Sequence, residues 1–176
     1  ACDKQYHPHL INNIIGEDVK RDDVRRLIEK TNIFVSTVTS MTSNKELFHI
    51  KQFDVAIFDE ASQILEPQLL PLLCAEEEGQ PAIRKFIMIG DHKQLPAVVV
   101  QNEESSRVDS PLLQSIGLSN CRNSLFERLA NQTPECVMML DHQGRMHPDI
   151  ADFASREFYD GLLKVVPMEH QTETTI

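Results

Sequence analysis

The chain has 176 residues, 41% hydrophobic and 25% charged, which is the make-up of one globular domain or of one domain and the start of another. Its formal net charge of −10 argues against a broad basic surface, although a local groove can still hold a strand. No apolar run approaches the ~20 residues of a membrane span, and no signal peptide is visible. The four cysteines, at 2, 74, 121 and 136, form no C-x-x-C pair, so neither a zinc ribbon nor a disulfide framework is signalled. Cys2, His7 and His9 lie close together but lack a fourth ligand and read as an ordinary surface segment. Free thiols and the lack of targeting point to a reducing cytoplasm.

In chain order, residues 18–30 place Val24, Leu27 and Ile28 on one helical stripe. Residues 32–38 (NIFVSTV) read as a buried, β-branched strand, followed by a hydroxyl-rich loop of Thr37, Thr39, Ser40, Thr42 and Ser43. FDVAIF (53–58) is the second strand. A short helix is expected from Ser62, interrupted at Pro67, with Leu69, Leu70, Leu72 and Leu73 packing behind it. KFIMI (85–89) is the third strand. Helical stretches between the strands signal a parallel α/β sheet. Residues 97–109 read as a mobile polar linker, 123–131 as an amphipathic helix, and CVMML (136–140) as a fourth strand. Pro148 suits a helix first turn, leading into 149–158, and the tail from 167 reads as disordered.

Three stations carry the chemistry. Asp59 and Glu60 follow the strand 53–58, and in an open α/β sheet ligands bind at the carboxyl ends of the strands. One carboxylate there can hold Mg²⁺ beside triphosphate oxygens, and the next can deprotonate an attacking water, a Walker B arrangement. Gly90 and Asp91 repeat that geometry after the next strand, and the Gln94 amide has the reach to bond a γ-phosphate or its water. His92 and Lys93 either touch nucleic-acid phosphates or face solvent. Arg145 follows a further apolar run and suits an arginine that meets transition-state charge. His147 either caps the next helix or lines the cleft. No glycine is followed by lysine, so the G-x-x-x-x-G-K-[ST] phosphate loop is absent, and the chain reads as a piece from the middle of an enzyme.

The set DEASQ (59–63), GDHKQLP (90–96), SLFERL (124–129), QGRMHP (143–148) and FASREFYDG (153–161) resembles superfamily 1B helicases, most of all the group of the nonsense-mediated-decay helicase and its bacterial relatives. The resemblance runs from about Thr31 to about Leu163. It implies two RecA-like lobes clamping ATP and Mg²⁺, with single-stranded DNA or RNA across them. By it, Asp59 is the Mg²⁺ carboxylate, Glu60 the general base, Gln94 the γ-phosphate sensor and Arg145 the second-lobe arginine. Gly90, Asp91 and Gln143 join Asp59 around the nucleotide. Ser36, Thr37 and Thr39, with His92, are the nucleic-acid candidates, while Val35 and Val38 are expected in the core. One departure is Gly144, where much of the family has a tyrosine that stacks on adenine.

The expected architecture is α/β, a partial RecA-like parallel sheet flanked by helices. Residues 1–134 are expected to form the later part of the first lobe, 135–166 the hinge and start of the second, and 167–176 a polar tail. The expected parent is an ATP-dependent helicase or translocase, with this piece alone inactive because the phosphate cradle and its lysine are missing. A remodelling switch without unwinding and a non-catalytic adapter are the rivals. A nuclease using Asp54, Asp59 and Asp91 is disfavoured because Asp54 belongs at the opposite sheet end.

Overall fold

The computed structural model describes residues 8–10, 14, 20–166 and 168–172. Cys2, His7, most of residues 1–17 and residues 173–176 of the tail lie outside the described residues. Helix α1 (Arg21–Lys30) carries Asp22 and Asp23 in its first turn and Lys30 in its last, complementing the helix dipole, and buries Ile28. Two short helices follow, α2 (Val38–Ser43) and α3 (Glu46–Ile50).

Strand β1 (Phe53–Phe58) leads through a 3₁₀ turn (Ala61–Gln63) into α4 (Glu66–Leu73). A two-residue turn joins β2 (Glu76–Glu77) to β3 (Gln80–Pro81), with Glu78 and Gly79 both at positive φ, as such hairpins require. Strand β4 (Ile83–Met88) then runs parallel to β1, in register from Phe53 opposite Ile83 to Phe58 opposite Met88. Parallel neighbours need a crossover, and α4 supplies it. Helices α5 (Pro111–Ser115) and α6 (Leu125–Gln132) follow. The last unit is β5 (His142–Gln143), α7 (Pro148–Phe158), β6 (Lys164–Val165) and α8 (Glu169–Thr172), with β5 and β6 parallel. The architecture is α/β with helix-flanked parallel strands, as expected.

Phe48, Phe58, Ala61, Leu69, Leu72, Ala82 and Leu125 form the core between α4, α6 and the β1–β4 pair. An ion pair sits beside it. Arg128 on α6 donates from Nε to Glu66 Oε2 at 2.8 Å and from Nη2 to Oε1 at 2.5 Å. Both side chains are largely buried, so removing one partner would strand a charge at a cost of about 3–5 kcal/mol.

Several expected elements differ. Residues 32–37 form no strand, and Val35 is 95% exposed rather than in the core, while Val38 packs partly against it. Residues 38–43 are a helix rather than a loop, because the Thr37 side chain caps it by accepting the Ser40 N–H at 3.2 Å. Pro67 does not interrupt α4. It lies in the first turn, where its missing N–H costs nothing. Leu69 and Leu72 pack inward, but Leu70 is exposed. Residues 136–140 form no strand, since no neighbouring strand among the described residues takes up their backbone groups, and Met138 and Leu140 are exposed. The polar run 97–109 holds a 3₁₀ turn (Glu104–Ser106) and buries Ser106 and Val108. Within the tail, α8 buries Gln171.

Candidate nucleotide site

Asp59 and Glu60 leave β1 at its carboxyl end and are both exposed. Glu60 takes a left-handed conformation, φ 51°, which costs a non-glycine residue about 1–3 kcal/mol. Its N–H is held by Asp59 Oδ1 at 3.0 Å, and its carbonyl accepts the Gln63 N–H at 2.9 Å. The turn therefore presents two adjacent carboxylates at the sheet edge.

The neighbouring station lies beside it. The Ile89 N–H donates to the Phe58 carbonyl at 2.8 Å, and the Ala61 N–H to the Ile89 carbonyl at 2.8 Å, so the two loops leave the sheet together. Gly90 is required by this closeness, because a Cβ there would lie 2.8 Å from the Ser62 backbone nitrogen. The buried Ser62 hydroxyl accepts the Asp91 N–H at 3.2 Å, tying the loops a second time.

Asp91 is the hub of the second loop. Its Oδ1 accepts the Lys93 N–H at 3.0 Å. Its Oδ2 accepts both the Gln94 amide at 2.9 Å and the Tyr159 hydroxyl at 2.5 Å. Burial raises the Asp91 carboxyl, but the hydrogen bonds from Tyr159, Gln94 and Lys93, with the nearby His92, outweigh it and hold the group below its ordinary value. On the other side, burial, then the hydrogen bond to Asp91 and its charge, push the Tyr159 phenol up to about 12. His92 is exposed, with its ring tilted against Phe126 at 6.3 Å between centroids.

Arg145 is exposed, on a loop organised by Gln143. The Gln143 Oε1 accepts the N–H groups of Arg145 at 2.9 Å and Met146 at 2.7 Å, and its Nε2 donates to the Met146 carbonyl at 3.0 Å. The Gln143 amide is thus engaged with its own loop. Helix α8 braces the loop from behind. Gln171 Nε2 donates to the Met146 carbonyl at 3.1 Å and the Gln143 carbonyl at 3.4 Å, and His170 Nε2 contacts the Gly144 carbonyl at 2.8 Å. Position 144 is not glycine for steric reasons, since a Cβ would meet only the Met168 Cγ, at 3.9 Å. His147 caps α7, its Nδ1 accepting the Asp149 N–H at 3.3 Å.

Ser36 and Thr37 are exposed just before α2, and Thr39 is exposed in its first turn. The Ser36 hydroxyl bonds the Thr37 carbonyl at 3.2 Å, and Thr37 is engaged as the cap. The structure brings Asp59, Glu60, Gly90, Asp91 and Gln94 to one sheet edge. Tyr159 carries α7 to that edge. Asp54 is elsewhere, near the start of β1, paired with Arg84 at 3.0 Å. Sequence reasoning assigned no role to Tyr159, Ser62 or Gln171. Tyr159 stood within the FYDG run, but only a tertiary contact reveals its partner.

A family model described as an AAA domain matches residues 12–102, just over half the chain, and a second AAA domain model matches residues 121–175. The chain belongs to the AAA-domain family. Its relatives place it in the superfamily 1 helicase-like group. It is 31% identical over 156 residues to an uncharacterised ATP-dependent helicase of Methanocaldococcus jannaschii, covering 88% of this chain and 20% of that protein. It is 35% identical over 155 residues to a putative ATP-dependent RNA helicase of Saccharomyces cerevisiae, covering 85% of this chain and 12% of the relative. It is 37% identical over 131 residues to the DNA replication ATP-dependent helicase/nuclease DNA2 of Gallus gallus, covering 74% of this chain and 11% of the relative. The chain thus spans a fifth or less of the length of these relatives. No helix among the described residues is long and apolar enough to cross a membrane.

Proposed function

We propose that this chain is the central part of an ATP-driven helicase or translocase that moves on single-stranded nucleic acid. The observation that carries the reading is the pairing of two acidic loops at the carboxyl ends of two parallel neighbours, bonded to each other through Ser62 and Asp91. Residues 1–134 belong to the first ATPase lobe, 135–166 to the hinge and start of the second, and 167–176 to its tail. The site works in the cytoplasm, in keeping with the free Cys74, Cys121 and Cys136.

Asp59 fits Mg²⁺ that arrives with the nucleotide. Among the described residues no group of three or more His, Cys, Asp or Glu could hold a metal, and Mg²⁺ on a triphosphate needs only one or two protein carboxylates. When bound, the ion neutralises charge on the phosphate oxygens. Glu60, exposed and held in its left-handed turn, accepts a proton from the attacking water. Gln94 presents its amide to the terminal phosphate or that water. Gly90 and Asp91 shape the loop that carries Gln94. Arg145, on a loop whose peptide groups Gln143 has already ordered, meets the charge that develops as the lobes close. Ser36, Thr37, Thr39 and His92 line the path of the nucleic acid.

The nuclease alternative loses support from Asp54, which is paired with Arg84 away from Asp59. In the whole protein, Glu60→Gln keeps size and loses the base. ATP binding is retained and steady-state turnover falls by at least about a hundredfold. Near-normal turnover would remove Glu60 from catalysis.

A further inference from the structure

We propose that Tyr159 is a positioning residue for Gln94, through which the placement of α7, and with it the Arg145 loop, sets the orientation of the sensor amide. The inference rests on the ATPase reading above. Three groups meet at one point: Gln94 Nε2 and the Tyr159 hydroxyl both donate to Asp91 Oδ2. A carboxylate oxygen shared by two donors fixes both. The Asp91 backbone is itself tied to Ser62, and Gly90 is packed on the Ser62 nitrogen, so the acceptor has a rigid foundation.

Tyr159 is the C-terminal cap of α7, and the Arg145 loop enters the same helix at its other end. An α-helix of 11 residues is about 16 Å long and moves as one piece. Any displacement of the Arg145 loop is therefore carried to Tyr159. With Tyr159 seated on Asp91, the Gln94 amide is held on its loop. With Tyr159 withdrawn, Asp91 keeps only the local donors Gln94 and Lys93, and the Gln94 rotamer is freer. The amide nitrogen is the one Gln94 group that can donate to an acceptor-only phosphate oxygen, so its orientation decides whether the sensor is aligned. The raised phenol and lowered carboxyl agree with a neutral hydroxyl donating to an ionised acid.

The test uses Tyr159→Phe in the whole protein, which removes one hydroxyl and keeps the ring. With ATP and single-stranded nucleic acid present, kcat falls about tenfold while KM for ATP stays within about twofold. An unchanged kcat, or a loss carried by KM alone, overturns the proposal. Glu60→Gln is assayed beside it. If Glu60→Gln turns over normally, the ATPase reading falls and this inference with it. If Glu60→Gln is inert and Tyr159→Phe is normal, only the role of Tyr159 falls. A second measurement needs no activity. In the whole protein with isotope-labelled tyrosine rings, the NMR signal that Tyr159→Phe removes reports this phenol. Its ionisation midpoint stands well above 10.0, and Asp91→Asn brings it down. An ordinary midpoint that ignores Asp91→Asn overturns the contact.

Discussion

Leu69 and Gln171 are the two bulkiest of the fully buried side chains among the described residues, and they stand for two ways of building a unit. Around Leu69, β1, β4, α4 and α6 bury a contiguous apolar cluster. Around Gln171, the unit from β5 to α8 is ordered by side chains bonded to backbone. Ser155 Oγ accepts the Leu163 N–H at 3.2 Å and donates to the Leu163 carbonyl at 3.1 Å, Lys164 holds Asp141 at 2.6 Å, and Gln143 and Gln171 hold the arginine loop. Meanwhile Ile150, Phe153 and Phe158 of that unit face outward. Apolar burial gives non-directional stability, whereas hydrogen bonds give direction with a small net energy. The first unit is therefore a platform and the second a positioned but weakly anchored arm, which suits the mobile arginine proposed above.

The largest effect expected from breaking that contrast comes from Leu69→Ala. It should cost about 3 kcal/mol in a urea titration and destabilise the unit as a whole, because the cavity lies at the centre of the cluster. A loss below about 1 kcal/mol would mean the core is centred elsewhere. Gln171→Leu should cost less, about 1–2 kcal/mol, and locally. Hydrogen exchange should quicken at the Arg145 and Met146 amides while β1 and β4 keep their protection. Equal loss of protection in both units would erase the distinction between platform and arm.

The smallest effect sharpens the contact between the units. Asp91 is held below its ordinary value when folded, so its contribution is present above the unfolded carboxyl range and is lost as pH falls through the folded value. Tyr159 is raised, so its contribution is full below 10.0 and is lost as pH rises from there toward about 12. Tyr159→Phe should flatten the alkaline limb of a stability–pH profile and weaken the acid limb. A profile unchanged on both limbs would show that the two units do not communicate through this bond.

Elements whose signals are local follow from the amino-acid order alone. FDVAIF is a nearly unbroken apolar run that ends at two carboxylates, Pro148 opens a helix, and SLFERL carries its own serine cap, which accepts the Glu127 N–H at 3.1 Å. The order of the stations was legible for the same reason, since each lies where a strand or helix ends. The runs 32–38 and 136–140 form no strand, because apolar, β-branched composition marks a segment able to pair, and pairing itself depends on a neighbour. Long-range packing establishes that Gly90 must be glycine against Ser62, that Glu66 meets Arg128, and that Tyr159 reaches Asp91. Those contacts join residues 28, 62 and 68 positions apart, and no periodicity or cap encodes a distance that the folding of two loops and a helix creates.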